Sequence, residues 1–335
     1  MRRSNSRVVA VLLAFAAAGP LTGCSGWKRE RAEALARSAA ERDKAAEAAD
    51  LGQRLREQGL DEAALAEFER AIAINPTLTV AYLGAGEIYR QRGDYNTAEQ
   101  RYAEAVRLSP SDFDANYGHG LTLQLLNRLS EAVRAYLRAL AIRPMDFAAN
   151  RDLGTAFLQL GEAAQGLPYA EQAVRVDPSD GPARVNLGAI YAALDRHADA
   201  ITQYHYAAEL MVMSPEIMLN LADSYGKVGR YDDMAATLRE VIHQRPSAQA
   251  HERLGSAYFR AGHYDQALAS FRAAVAMDPS HYPAHNGIAV CLLNRYLWSD
   301  RTDRAALDEA LDALRRSLRI ERNQPKIVEL LTRYG

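Results

Sequence analysis

Cysteine is nearly absent: Cys24 and Cys291 are the only two in 335 residues, too few for a disulfide framework. Glycine (21) and proline (12) are too sparse for a low-complexity chain. The formal net charge is only −2, so the chain as a whole is no phosphate-backbone binder, and nothing favours nucleic acid. After Ala18 no apolar run approaches the roughly 18 residues that a membrane span needs. No useful stretch alternates with period two, which excludes a β-sheet. Neither Gly-x-Ser-x-Gly, a P-loop nor His-Glu-x-x-His occurs. Gly84-x-Gly86 and Gly118-x-Gly120 follow no predicted strand and are not nucleotide loops. His281 and His285 have the spacing of metal ligands on one helical face, but Pro283 intervenes and no third ligand is evident. They read as polar positions at the start of a helix, and His243, His251 and His263 as surface residues. Catalytic residues, metal, cofactor and small-molecule substrate are therefore all assigned as none.

What the sequence does contain is a period. Ala, Leu, Arg and Glu dominate, a helical bias. Small residues recur at Gly52, Gly86, Gly120, Gly154, Gly188, Ala222, Gly255 and Ala289, always 34 or 33 apart. A second series runs Ala64, Ala98, Ala132, Gly166, Ala200, Met234 and Ala267, and a third Ala71, Ala105, Ala139, Ala173, Ala207, Val241 and Ala274. Prolines close most periods, at Pro76, Pro110, Pro144, Pro178, Pro246 and Pro279. Small residues let two antiparallel helices approach, large ones such as Tyr82, Tyr89 and Tyr102 form an apolar stripe between them, and proline ends the second helix. Gly93-Asp94 and Gly262-His263 mark turns inside two periods. Cys291 falls on such a helix as a small core residue.

Tyr82 to Pro110 and Leu254 to Pro279 fit the 34-residue pattern of large residue, Leu-Gly, Tyr, Ala, aromatic, Ala and Pro almost position for position. In this the chain resembles the tetratricopeptide-repeat (TPR) family. The resemblance implies an all-α, right-handed superhelical solenoid of about eight helix-turn-helix repeats: 45–78, 79–112, 113–146, 147–180, 181–214, 215–247, 248–281 and 282–324. Val212 replaces the closing proline of the fifth repeat, and Met234 and Val241 replace alanines in the sixth. The eighth carries an insertion around Tyr296 to Ala305 that either lengthens a helix or forms a protruding loop. By the same resemblance a groove for a partner's peptide or helix lies on the first helix of each pair. Its positions include Glu87, Arg90, Tyr117, Gln124, Arg151, Thr155, Gln159, Asn186, Asn220, Asp223, Lys227, Ser256, Phe259 and Arg260. Asn and Lys/Arg do not recur as a basic carboxylate clamp requires.

The ends read separately. Arg2, Arg3 and Arg7 precede an apolar run from Val8 to Ala18, then Gly19 and Pro20, the outline of a secretory signal over 1–23. Leu21-Thr22-Gly23-Cys24 resembles the lipobox of bacterial lipoproteins, which makes Cys24 the acylated first residue of the mature chain. Ser25 next to it implies export to the outer membrane, facing the periplasm. Residues 24–44 are expected to form a helical or flexible tether, and 325–335 a C-terminal capping helix. The outline resembles TPR lipoproteins of Tad/Flp pilus assembly and pilotin-like lipoproteins of type IV pili. That implies a non-catalytic scaffold for an envelope complex such as a pilus or secretion system. The alternative is an accessory subunit of a periplasmic cell-wall or polysaccharide-export enzyme.

Overall fold

A computed structural model describes residues 23–335, with side chains from Trp27 onward. The signal segment and the Cys24 side chain lie outside that description. Among the described residues there are helices, turns and no strand. None of the helices is long and apolar enough to cross a membrane. The chain divides into two compact bodies, the first ending at Gly93 and the second beginning at Asp94.

The first body contains α1 (Gly23–Glu57), α2 (Asp61–Ile74) and α3 (Thr79–Gln91). α1 runs unbroken from its start, exposed over residues 27–44, and enters the core at Ala45. The ring of Phe68 on α2 fills the space between its neighbours and is 1% exposed. It fits because the two facing positions have no side chain. A Cβ on Gly52 of α1 would stand 3.0 Å from the ring, and one on Gly84 of α3 only 2.3 Å. A real Cβ does not approach as closely as 2.3 Å, so Gly84 is required by packing, and at Gly52 the ring would have to shift by a few tenths of an ångström.

The second body opens with α4 (Tyr95–Leu108), followed by five pairs. They are α5 (Phe113–Leu125) with α6 (Leu129–Ile142), α7 (Phe147–Gln159) with α8 (Ala163–Val176) and α9 (Gly181–Ala193) with α10 (His197–Leu210). Then come α11 (Pro215–Lys227) with α12 (Tyr231–Gln244) and α13 (Ala248–Ala261) with α14 (Tyr264–Met277). A sixth pair, α15 (Tyr282–Trp298) with α16 (Arg304–Ile320), is followed by α17 (Pro325–Tyr334). Ring-into-glycine packing recurs: Tyr102 lies against Gly118, Tyr136 against Gly120, and Phe271 against both Gly255 and Gly287. The α7–α8 pair is the exception. Ala170 takes the place of the ring, and a Cβ on Gly166 would come within 2.9 Å of the Gly154 carbonyl oxygen, so the two backbones approach directly. In the sixth repeat, Val241 and Ala222 are buried and Met234 packs against Gly226, so the larger residues are absorbed within the core.

Short turns join the helices of each pair. They require a left-handed residue, supplied by Gly161, Gly229 and Gly262, and by Asn127 and Asp195 where glycine is missing. Asp112, Asp146, Asp180, Ser214 and Ser247 cap first helices by accepting a backbone N–H three residues on. In the last pair the insertion lengthens both helices to 17 residues, against 13 or 14 in the others of this body, and leaves a loop at 299–303. α17 lays buried Ile327 and half-buried Leu330, Leu331 and Tyr334 against this last core, covering the end of the stack. Cys291 belongs to that core at 4% exposure, and burial pushes its thiol up to about 12. It is no nucleophile near neutral pH.

A polar contact recurs at each proline-closed junction where the residue six places on carries a hydrogen-bond donor, and it is missing after Pro246, where that residue is Glu252. Asn116 Nδ2 donates to Pro110 O (2.9 Å), Asn150 Nδ2 to Pro144 O (3.0 Å), Arg184 Nε to Pro178 O (2.8 Å) and His285 Nε2 to Pro279 O (3.0 Å). Within the first body Tyr82 Oη donates to Pro76 O (3.2 Å). His285 is thus a core residue, 4% exposed, and not the polar helix-opening position expected of it. The sixth repeat, which follows Val212 in place of proline, has Met218 at this position.

Candidate functional site

The first helices of successive pairs lie side by side, and their polar residues meet across the seams. Tyr117 of α5 donates through Oη to Asp152 Oδ2 of α7 at 2.7 Å, and Arg151 Nε reaches Asp152 Oδ1 at 2.9 Å. Asp152 is nearly buried, so the adjacent guanidinium offsets much of the cost of desolvating its carboxylate. Burial, followed by the Asp152 charge, pushes the Tyr117 hydroxyl well above its ordinary range, so it remains a hydrogen-bond donor. Further along, Gln124 Nε2 of α5 donates to Gln159 Oε1 of α7 (2.9 Å), and Tyr136 Oη to Gln124 Oε1 (2.7 Å). Thr155 Oγ1 donates to the Arg151 carbonyl (2.9 Å) and accepts from Asn186 Nδ2 of α9 (2.9 Å). The result is a ladder of half-buried amides, hydroxyls and one ion pair over α5, α7 and α9. Its orientation is fixed before any partner arrives.

On α11, Asn220, Asp223 and Lys227 are exposed, and Asp223 pairs with Arg253 of α13. Ser256, Phe259 and Arg260 line one cavity between α13 and α15. Glu87 and Arg90 form a bidentate pair on α3, at 3.0 and 2.6 Å, within the first body. Sequence reasoning passed over Asp152, although it stands at the sixth position of a repeat, one of the positions the TPR pattern assigns to the groove. The repeat register was the available signal.

Tyr204 of α10 shows what happens when the ladder lacks a rung. It is fully buried and packs on Gly188, as Tyr136 packs on Gly120, but Ala192 stands where Gln124 would accept from its hydroxyl. The Oη atom has no partner, and burial together with the Asp223 charge pushes its pKa up to about 12. An unpaired buried hydroxyl costs stability, so Tyr204→Phe is expected to be neutral or stabilising by up to about 1 kcal/mol in urea unfolding. A clear loss of stability would show that the hydroxyl is engaged.

The tetratricopeptide repeat sequence profile matches residues 151–210, 219–282 and 253–325, and a TPR repeat profile matches 86–127. Together these cover more than half of the chain. No curated protein matches the sequence significantly. Among solved structures, YrrB, described as a TPR protein with an unusual peptide-binding site, superposes with a TM-score of 0.51 at 17% identity, over 60% of this chain and 99% of its own. A tetratricopeptide repeat protein of Parabacteroides merdae gives 0.51 at 16% identity, over 75% and 99%. Pseudomonas aeruginosa pilF gives 0.52 at 18% identity, over 64% and 96%. At such identities the likeness is one of fold. The matched repeats, the all-α stack of helix pairs and the ring-into-glycine packing agree, and this chain belongs to the tetratricopeptide repeat family, whose members bind protein partners and are generally non-catalytic scaffolds.

Proposed function

We propose that this protein is a lipid-anchored scaffold of the bacterial cell envelope. It holds a peptide or helix of a partner protein on the wall of its first helices and assists assembly of a pilus or secretion system. The observation that carries the binding reading is the ladder over α5, α7 and α9. Pre-positioned amides, hydroxyls and a paired carboxylate present donors and acceptors to a polypeptide while their own geometry is already fixed. The peptide-binding site named for YrrB, on a similar fold, is in keeping with it. The anchor rests on Leu21-Thr22-Gly23-Cys24 and Ser25, which favour attachment at the outer membrane facing the periplasm. The 18 exposed residues of α1 over 27–44 would then act as a stalk, roughly 27 Å long at 1.5 Å per residue.

Cys24→Ala is expected to move the protein from the membrane to the soluble fraction with an unchanged far-ultraviolet circular dichroism spectrum. Retention on membranes would refute the anchor. In-cell cross-linking followed by mass spectrometry tests the pathway. Secretin or pilus subunits are expected, whereas cell-wall or polysaccharide-export enzymes would replace this reading with that of an accessory subunit. The paired change Asn220→Ala and Lys227→Ala, at exposed positions, is expected to lower recovery of the cross-linked partner several-fold while stability stays within about 0.5 kcal/mol. Unchanged recovery would remove α11 from the binding wall.

A further inference from the structure

The junction between α10 and α11 is held differently from its neighbours. Val212 replaces the closing proline, and Met218 stands where Asn116 and Asn150 reach back to a proline carbonyl. Residues 211–214 are neither helix nor hydrogen-bonded turn. At equivalent junctions a backbone bond closes a turn, from Asp112 N–H to Ser109 O (3.0 Å) and from Asp146 N–H to Arg143 O (3.2 Å). The seam between first helices is bare as well. Asn186 links α9 back to α7, and the Arg253–Asp223 pair links α11 on to α13. Among the described residues no hydrogen bond or ion pair joins α9 to α11. One polar tie crosses from α10, between His205 Nε2 and Tyr225 Oη at 2.5 Å.

Thioethers take over the cohesion. Four of the seven methionines stand between residues 211 and 234. Met213 and Met218 are buried in one core with Ile201 and Tyr204 of α10 and Leu221 of α11, and partly buried Met234 packs against it. Met211 is half-buried, and its Sδ lies over Gly181 of α9, 2.9 Å from where a Cβ would stand. Beside it Val212 is 88% exposed, so the chain runs at the surface here. A thioether is oxidised under conditions that leave hydrocarbon untouched. A peroxide transfers one oxygen atom to the sulfur, giving a sulfoxide and water (or an alcohol, from an organic peroxide), and an apolar side chain becomes polar. Met145 and Met277, at 61% and 49% exposure, lie outside the buried core and provide an internal comparison.

We propose that Met211, Met213 and Met218 form an oxidation site, at which conversion of thioether to sulfoxide by a peroxide loosens this one seam of the array. Met211, partly open to solvent, reacts first and loses its apolar hold on Gly181. Opening of the extended segment then brings Met213 and Met218 to solvent. Sulfoxides there keep the seam open, because a close-packed apolar core does not take back a polar oxygen without cost. Sulfoxide reductases reverse the step. The consequence goes beyond partner binding, since it uncouples the part of the wall ending at α9 from the part beginning at α11. The test treats the full-length protein with increasing hydrogen peroxide, maps sulfoxides by peptide mass spectrometry and follows amide hydrogen exchange. Doses that oxidise only Met145 and Met277 are expected to leave exchange unchanged. Oxidation of Met211, then of Met213 and Met218, should speed exchange across α10 and α11 at least about tenfold, the worth of one buried polar group left unpaired, with α15 and α16 as before. The combined variant Met211→Leu, Met213→Leu and Met218→Leu, a volume-conserving change, should match untreated wild type and resist treatment. If that variant is loose before treatment, Met211→Leu alone decides, by delaying oxidation of Met213 and Met218; an undelayed reaction would overturn the proposal. So would three sulfurs that stay reduced while Met145 and Met277 are fully oxidised, or oxidation without faster exchange. Equal loosening of the leucine variant, or loosening that persists after enzymatic reduction, would assign the effect to other damage and overturn it too.

Discussion

Phe68→Ala is expected to destabilise the first body by about 3–5 kcal/mol, the cost of emptying a well-packed aromatic site. The ring is 1% exposed and is held between two helices at positions with no side chain to spread into the void, Gly52 and Gly84. Collapse of the cavity would need whole helices to move. Because repeat arrays open in segments, the effect is best read by hydrogen exchange. Protection should fall across α1, α2 and α3 and remain as in wild type across α13 to α16. The reciprocal change sharpens the argument. Gly84→Ala alone should also destabilise, since its Cβ would stand 2.3 Å from the ring. Combined with Phe68→Ala, however, the added methyl enters the space the ring has left, and the loss should be smaller than the sum of the two. Strict additivity would mean that ring and glycine do not depend on each other.

Asn116→Leu is expected to cost about 1–3 kcal/mol, although asparagine is a poor helix former and leucine a good one. Asn116 is fully buried and serves three partners at once. Its amide nitrogen donates to Pro110 O and Asp112 O, and its oxygen accepts from Arg138 Nε at 2.8 Å. Leucine would remove the side-chain donor from the Pro110 carbonyl and the acceptor from the Arg138 guanidinium, while the Asp112 carbonyl keeps its bond from the backbone N–H of residue 116. Urea unfolding followed by exchange at α4 to α6 reads the effect, and a gain in stability would show that helix propensity outweighs the junction. Met218→Asn makes the converse comparison, because the junction before it lacks the proline and contains no such contact. No stabilisation is expected there, since the amide would be desolvated without a proline carbonyl to receive it.

The helix pairs were legible in the sequence because close approach demands small residues at a fixed phase, and Gly52 to Ala289 keep that phase. Proline-closed boundaries were legible as well, because proline has no N–H to continue a helix. The proline-to-sixth-residue contacts were less legible. Asn116 and Asn150 look like ordinary solvated residues of a helix start, and only the fold shows that the preceding proline turn covers them. His285 was misread in that way. Asn127 and Asp195 hide the left-handed turn because glycine, its plainest mark, is replaced by residues that also serve in other roles. The insertion in the eighth repeat was visible as a broken period, but a period cannot say how nine residues divide, and the fold gives a share to each helix. Of the groove candidates, Tyr117, Gln124, Arg151, Thr155, Gln159 and Asn186 meet at seams between neighbouring helices. The acceptor that links the first of these, Asp152, was readable only by applying the repeat register strictly.

α1 is both an exposed rod and the first wall of the packed array. Between Trp27 and Leu51 it contains neither glycine nor proline, the residues at which helices usually kink. A force applied near Gly23 is therefore not taken up as slack, as a coil would take it, but is carried along the rod to Ala45 as a bending moment. Under the anchoring proposed above, the first body would feel the membrane mechanically, with its compliance set by the stiffness of one helix.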